Sequence, residues 1–502
     1  MAHRRSTFVT LILCAWALVL AAADPVRAQS LESRIQTILT DPKLGAGSRT
    51  GVVVMDADSG QVIAAHNADL PLIPASNMKV LSSGAALLVL GPSFQFQTDL
   101  IYDSAPPGGR IVLRGSGDPA LADPKLLEGM KLSVEDVLEA WVKALRDAGV
   151  ASGSELVVDH RVFDWRESVH SSWPVSQLNR WYCAEVSGVN FHANLIQVFA
   201  EPRDGGRPPA LKIEPSAPWL EVRNKARSVD QGNQTAWAVR DARSNSITLH
   251  GDVRHRHSPI EVALHDSPDF VARLLANRLA ATGLAPGRAR VAEPDEDLSS
   301  GRVVHRVSTD MATVLRRCNA DSYNLYAECL LKRMGYEVTS TPGSWASGAA
   351  VLRMVLLERL GPEAGQAIIV ADGSGMSREN SVTARLVARW LCSMLVEQEV
   401  GAAFLASLPT AGEGTLRRRF GAVGLQSELR AKTGYLTGVS AISGYLTQPG
   451  TGRRIVFSII TNQGERRAPI TVVRQMEEKI VALSDQWLTD PQFGLRSGAR
   501  AR

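Results

Sequence analysis

One hydroxyl and one amine, three residues apart, are the groups in this chain best placed by type and spacing to do chemistry. They lie in Pro74-Ala75-Ser76-Asn77-Met78-Lys79, which opens an apolar run from Val80 to Leu90 that ends at Gly91-Pro92. Pro and Ser start helices and Gly-Pro stops them. Ser76 is therefore expected near a helix N-terminus, with Lys79 one turn on, over the same face. A serine there feels the positive end of the helix dipole. A desolvated lysine holds its proton less tightly, so Ser-x-x-Lys can replace Ser-His as nucleophile and base. The same residues also read as a helix cap followed by a solvated lysine. Lys79 is the one lysine with a serine three positions before it, and the rest of the chain decides between the readings.

Two later segments offer what such a pair lacks. Ser322-Tyr323-Asn324 falls at the junction of two expected helices and presents a hydroxyl and an amide from one turn. Lys432-Thr433-Gly434 falls on an expected strand, where Lys432 can project into a cleft and Gly434 lets a ligand approach the backbone. Each alone is more often scaffold, a helix cap in one case and a strand end and turn in the other. In this order, the three motifs resemble the Ser-x-x-Lys, Ser-Asp-Asn and Lys-Thr-Gly signature of penicillin-binding proteins and class A β-lactamases.

Further stretches narrow the resemblance. Gly115-Ser116-Gly117-Asp118-Pro119, Asp372-Gly373-Ser374-Gly375-Met376-Ser377-Arg378-Glu379-Asn380 and Pro409-Thr410-Ala411-Gly412-Glu413-Gly414-Thr415-Leu416 resemble the D-alanyl-D-alanine carboxypeptidase/endopeptidase family, the low-molecular-mass class C penicillin-binding proteins. So does the long insert between the first and second motifs. The resemblance implies an α+β fold: a penicillin-binding/serine β-lactamase-like domain, an antiparallel sheet with helices, interrupted by inserted β-rich accessory domains. It implies a serine DD-peptidase acting on peptidoglycan stem peptides, as carboxypeptidase on D-Ala-D-Ala, as endopeptidase on D-Ala–diamino acid cross-links, or both. β-Lactams would acylate it as inhibitors.

Carried over motif by motif, the resemblance makes Ser76 the nucleophile, Lys79 its base, Ser322 a proton relay, and Asn324 the group that holds Lys79 and the substrate amide. Lys432 and Thr433 would bind the terminal carboxylate or steer the proton path. The backbone N–H groups of Ser76 and Tyr435 would form the oxyanion hole, and Gly434 and Arg378 would complete the substrate-binding set. Arg378 could instead form a surface ion pair, and Asp372-Gly373-Ser374-Gly375 has a turn composition that serves structure as well as a cleft. Asp159 and Phe163 could reach the diamino acid of the stem, or mark a strand end. Two positions depart from the family pattern: Tyr435, where many relatives have Ser or Thr, and Tyr323, where β-lactamases have Asp.

Periodicity supplies the elements that must position these groups. A helix is expected over 30–44, then a hairpin, Gly51–Met55 with Gln61–Ala65, around Asp58-Ser59-Gly60. Short alternating strands follow at 99–102, 110–114 and 155–159, with a helix over 134–148 between the last two, then strands at 236–240 and 246–250 and a helix over 269–282. Helical texture returns at 311–317, 323–334 and 345–360. A strand (367–370), a helix (383–396), three strands (429–433, 440–447, 454–461) and a closing helix (470–488) end the chain. The implied division is a signal peptide (1–28), a penicillin-binding domain (29–94 and 304–490), a β-rich accessory domain (95–117 and 166–303), a small α/β accessory domain (118–165) and a flexible tail (491–502).

The remaining bounds come from length and composition. A chain of 502 residues holds several domains and ample core. Met1-Ala2-His3-Arg4-Arg5 followed by an uncharged apolar run from Phe8 to Ala23 is a secretory leader, too short for a lasting membrane span. The protein is thus expected to be exported, to the periplasm. A net charge of +4 with interspersed signs offers no footprint for nucleic acid. The histidines lack zinc-like spacing, so no metal or other cofactor is expected. Cys183, Cys318, Cys329 and Cys392 remain after the leader; Cys318 with Cys329 is the candidate disulfide, the alternative being four buried thiols. Two rival functions stay open. A β-lactamase or esterase on the same fold would need a placed base for deacylating water, which no Glu-containing motif announces. A non-catalytic cell-wall binding protein would have no need of intact Ser76, Lys79, Ser322, Asn324 and Lys432.

Overall fold

The computed structural model describes residues 30–256, 258–490 and 493. The expected signal peptide and, Phe493 aside, the expected tail lie outside the described residues. The described chain enters through α1 (Leu31–Leu39), whose N-cap Ser30 accepts from the Ser33 N–H. β1 (Arg49–Asp56) and β2 (Val62–His66) form the expected antiparallel hairpin, with Gly60 at φ +69° in its turn. A 3₁₀ turn, Ala75–Asn77, leads into α2 (Met78–Leu90), which is buried along most of its length.

Past α2 the chain builds a mixed sheet. β3 (Gln95–Asp103) and β4 (Arg110–Gly115) pair antiparallel. α3 (Val134–Asp147) then carries the chain to β5 (Glu155–Asp159), parallel to β4. Parallel neighbours cannot be joined by a tight turn and need such a crossover. α3 has the expected amphipathic spacing: Leu138, Trp141, Val142 and Leu145 are buried, behind a capping box made by Ser133 and Asp136. α4 (Ser267–Ala281) leads to β6 (Arg288–Val291), parallel to β5, and β7 (Arg302–Asp310) pairs with β3 at the other edge. This sheet has the order β6-β5-β4-β3-β7 and draws strands from 95–117, 118–165 and 166–303 alike. Smaller sheets occupy 195–263.

The chain returns through α5 (Met311–Asn319), α6 (Asn324–Thr339), α7 (Trp345–Leu360) and α8 (Ala384–Ser393). The strand expected at 367–370 shrinks to Ile368–Ile369, paired with Ser381–Val382. β8 (Glu428–Leu436), β9 (Val439–Thr447), β10 (Arg454–Asn462) and α9 (Ile470–Thr489) complete the fold. The resulting sheet, β8-β9-β10-β1-β2, is antiparallel throughout. Its inner strands β1, β9 and β10 are buried along most of their length because both faces are covered. Val52 and Val54 join the cluster under α1 and α9, while Val53 and Met55 join the one containing Leu81, Leu331 and Trp390. The α+β class expected from the sequence is the observed one. All four described cysteines are free thiols. Cys318 and Cys329 are both fully buried, and Cys329 accepts a hydrogen bond from Asn190 at 3.4 Å.

A buried ion pair fastens the inserted chain to these helices. Asp123, fully buried, accepts from Arg317 at 2.7 Å and from the Tyr326 hydroxyl at 2.7 Å. Arg317 also pairs with Asp321 at 2.9 Å, in the turn that precedes Ser322. Removing Asp123 takes the fully buried carboxylate from Arg317, leaving the less buried Asp321 as its ion-pair partner, and strips the Tyr326 hydroxyl of its acceptor. Asp123→Ala is therefore expected to destabilise the fold by about 3–5 kcal/mol, read as a lowered midpoint in urea unfolding.

Candidate active site

The Ser76 turn is held in a conformation that side chains resist. Ala75 sits at φ +47°, in the left-handed region, and such strain persists only where neighbours over-determine it. Two glycines do so. A Cβ on Gly375 would lie 1.8 Å from the Ala75 carbonyl oxygen, and one on Gly434 would lie 2.7 Å from that of Pro74. Gly434 thus lets β8 close onto the turn bearing Ser76; the near backbone is the protein's own rather than a ligand's. Asn77 strengthens this contact, donating from Nδ2 to the Lys432 carbonyl at 3.2 Å. Behind the turn, Ser82 donates to the Gly373 carbonyl at 2.7 Å and Trp390 to the Val80 carbonyl at 2.8 Å, fixing α2 in the core.

Lys79 is fully buried, and its Nζ lies 3.0 Å from Ser76 Oγ, 2.7 Å from Asn324 Oδ1 and 2.8 Å from the Ser374 carbonyl oxygen. All three partners are neutral. Burial lowers its pKa to about 8, although the nearby acidic groups Cys318, Glu328 and Asp372 pull the other way. Lys432, also fully buried, reaches Ser322 Oγ at 2.7 Å and the Thr433 carbonyl at 2.8 Å. Burial, and then the charge of Lys79, push its pKa well below the ordinary lysine value. Ser322 sits at φ +62°, a second strained residue in the same cleft. The three motifs therefore converge: Ser76, Lys79 and Asn324 form one hydrogen-bonded group, and Ser322 with Lys432 forms a second.

Asn324 and Lys79 are oriented by groups that motif reading does not reveal. Asn324 donates from Nδ2 to the Tyr182 carbonyl at 2.8 Å, which leaves Oδ1 facing the lysine. Glu328, four residues on along α6, accepts from the N–H groups of Gly373 (2.8 Å) and Ser374 (2.9 Å) and from Trp345 Nε1 (2.8 Å). That clamp holds the Ser374 carbonyl on Lys79. Burial and the neighbouring Asp372 carboxylate raise Glu328 to about 7, against the pull of its N–H donors. Asp372 binds the Gly375 and Ser377 N–H groups, Asn380 and Trp173 at 2.6–2.8 Å, so Asp372-Gly373-Ser374-Gly375 shapes the back of the site. An acid at i+4 from a motif asparagine, inside the otherwise apolar run 325–331, is the sequence signal for Glu328.

The other expected residues sit nearby or elsewhere. Thr433 is half-buried on β8, and the Tyr435 side chain is exposed, with the Arg474 guanidinium 5.6 Å from its ring centre. Arg378 is exposed and donates to the Thr437 carbonyl, just past β8, instead of to a carboxylate. Asp159 ends β5 and is held by Arg114 and Arg161, and Phe163 is buried against Gly117 and Gly343.

The D-Ala-D-Ala carboxypeptidase 3 (S13) family matches residues 31–483. The chain is 30% identical to the D-alanyl-D-alanine carboxypeptidase of an Actinomadura species, over 94% of this chain and 89% of that one. It is 24% identical to a D-alanyl-D-alanine carboxypeptidase of Haemophilus influenzae, over 83% and 85%. The crystal structure of penicillin-binding protein 4 from H. influenzae superposes with a TM-score of 0.71 at 22% identity, covering 89% of this chain and 98% of that one.

Glu328→Gln would turn an NH₂ group toward backbone N–H donors. It is expected to lower stability by about 1–3 kcal/mol in urea unfolding, and to slow covalent labelling by a fluorescent penicillin. Unchanged labelling beside the lost stability would confine Glu328 to the fold.

Proposed function

The chain belongs to the D-Ala-D-Ala carboxypeptidase 3 (S13) family of serine-type hydrolases, and from that premise we propose that Ser76 attacks the carbonyl of the penultimate D-alanine of peptidoglycan stem peptides. In this reading Lys79 is the base. As a neutral amine it can donate two hydrogens, to Asn324 Oδ1 and the Ser374 carbonyl, and use its lone pair to accept from the Ser76 hydroxyl 3.0 Å away. The oxyanion forms beside the backbone N–H groups of Ser76 and Tyr435, each worth about 3 kcal/mol of barrier. Ser322, bonded to Lys432, passes a proton to the departing amine, and Thr433 holds its carboxylate. Water then hydrolyses the ester. A β-lactam meets the same nucleophile, and ring opening leaves it as a covalent adduct. Cleavage of D-Ala–diamino acid cross-links is the same chemistry with a larger leaving strand. Export by the expected leader, 1–28, would bring the protein to this substrate in the periplasm.

The observation that carries the reading is the buried, uncompensated Lys79 amine lodged between Ser76 and Asn324. A β-lactamase or esterase would share the acylation step and differ in deacylation. Incubation with muropeptides and mass spectrometry of the products separates these: loss of one terminal alanine marks carboxypeptidase, split dimers mark endopeptidase, and intact muropeptides would refute the proposal.

Ser76→Ala is expected to abolish penicillin labelling while the protein keeps its unfolding midpoint; persistent labelling would move the nucleophile elsewhere. The pH dependence follows from Lys79. With its pKa lowered to about 8, the base is protonated below that pH. Acylation should therefore climb roughly tenfold per pH unit up to about 8 and then level. A rate independent of pH from 6 to 9 would remove Lys79 as base.

A further inference from the structure

We infer that a cationic cavity beside β8 binds the leaving strand of a cross-linked peptide, a strand that carries its own free carboxylates. The inference rests on the function proposed above and specifies which of its substrates the site is built for. The cavity, about 570 Å³, opens against Thr433, Gly434 and Tyr435. Its other walls are the turn from Gly414 to Arg419 and the first turns of α9.

Arg417, Arg418 and Arg474 line it, all exposed, and among the described residues none has a carboxylate within ion-pair distance. The acid in its wall, Glu478, is already taken by Arg419 at 2.8 Å. Thr415 adds a buried hydroxyl oxygen that has no hydrogen-bond partner. The arginine-bearing turn is anchored to the catalytic cleft. Thr415 N–H donates to the Ala320 carbonyl at 3.1 Å, two residues before Ser322. Gly414 is at φ +45°, where a Cβ would come within 2.2 Å of that same oxygen.

A departing D-alanine brings one carboxylate, which Thr433 accommodates. It neither fills such a volume nor uses three further cations. The leaving half of a cross-link continues past Thr433 as a peptide, and guanidinium forks bind carboxylates in pairs of parallel hydrogen bonds. Arginines on this side therefore favour the endopeptidase substrate over the carboxypeptidase one.

The test compares kcat/KM for a cross-linked muropeptide dimer and for a D-Ala-D-Ala pentapeptide in wild type and in Arg417→Ala/Arg418→Ala, with penicillin labelling as the check on the site. The double variant should lose tenfold or more on the dimer than on the pentapeptide, chiefly through KM. Arg417→Lys/Arg418→Lys should fall between, and added salt should narrow the gap. Equal losses on both substrates, no loss on the dimer, or a wild type that releases D-alanine and leaves dimers intact would each overturn the inference while sparing the peptidase reading. A wild type that labels with penicillin and cleaves neither substrate would overturn both.

Discussion

The site depends on one constraint: the amine of Lys79 must sit out of water with neutral partners alone. An ammonium transferred from water to such a place loses far more solvation than three neutral acceptors return. The proton is therefore held less tightly than on a free lysine, and an amine whose pKa burial has lowered to about 8 lies 3.0 Å from a serine hydroxyl. Lys432 reinforces the effect from the other side of the cleft, since two cations buried together oppose each other. The nearest acids, Glu328 and Asp372, do not undo this. Their oxygens are occupied by the N–H groups of the 373–377 turn and by Trp345 and Trp173, so they act on Lys79 through space and through the Ser374 carbonyl they hold in place.

That arrangement stores conformational strain. Ala75 and Ser322, one residue before the proposed nucleophile and one at the proposed relay, both adopt left-handed backbone conformations without being glycine. The compensation is steric and hydrogen-bonded: Gly375 and Gly434 admit the Ala75–Asn77 turn into a space where any side chain would collide, and Asn77 ties it to β8. Glycines that a sequence suggests for a ligand's approach are thus used for the approach of one motif to another.

How much of this the sequence reveals follows from which interactions are local. The hairpin of β1 and β2, the helix after Ser76, the three C-terminal strands and α9 are set by periodicity and turn chemistry within each segment, and they appear within a few residues of where those signals put them. The mixed sheet of the insert is less legible. Its parallel pairs, β4 with β5 and β5 with β6, join segments tens of residues apart, and β7, a polar strand from Arg302 to Asp310, carries little apolar alternation to betray it. In the site, Ser76, Lys79, Ser322, Asn324 and Lys432 are visible because their chemistry is in their side chains and their spacing. The Tyr182 and Ser374 carbonyls that orient Asn324 and Lys79 belong to the backbone, which every residue carries, and so leave no mark in the sequence.

Those backbone contacts also change how the insert should be regarded. Residues 173–183 leave the inserted chain and enter the cleft: Trp173 donates to Asp372, and Trp181 packs its ring 5.2 Å from that of Tyr323, between the two residues of the second motif. The Tyr182 carbonyl selects the rotamer in which Asn324 presents oxygen to Lys79; without it, the amide could turn and offer an NH₂ to the amine instead, removing an acceptor from the lysine's shell. Asp123 and Arg317 lock the same region from behind. The long segment between the first and second motifs therefore supplies part of the electrostatic wall around the proposed base, and the reactive amine owes its environment to chain on both sides of that insertion.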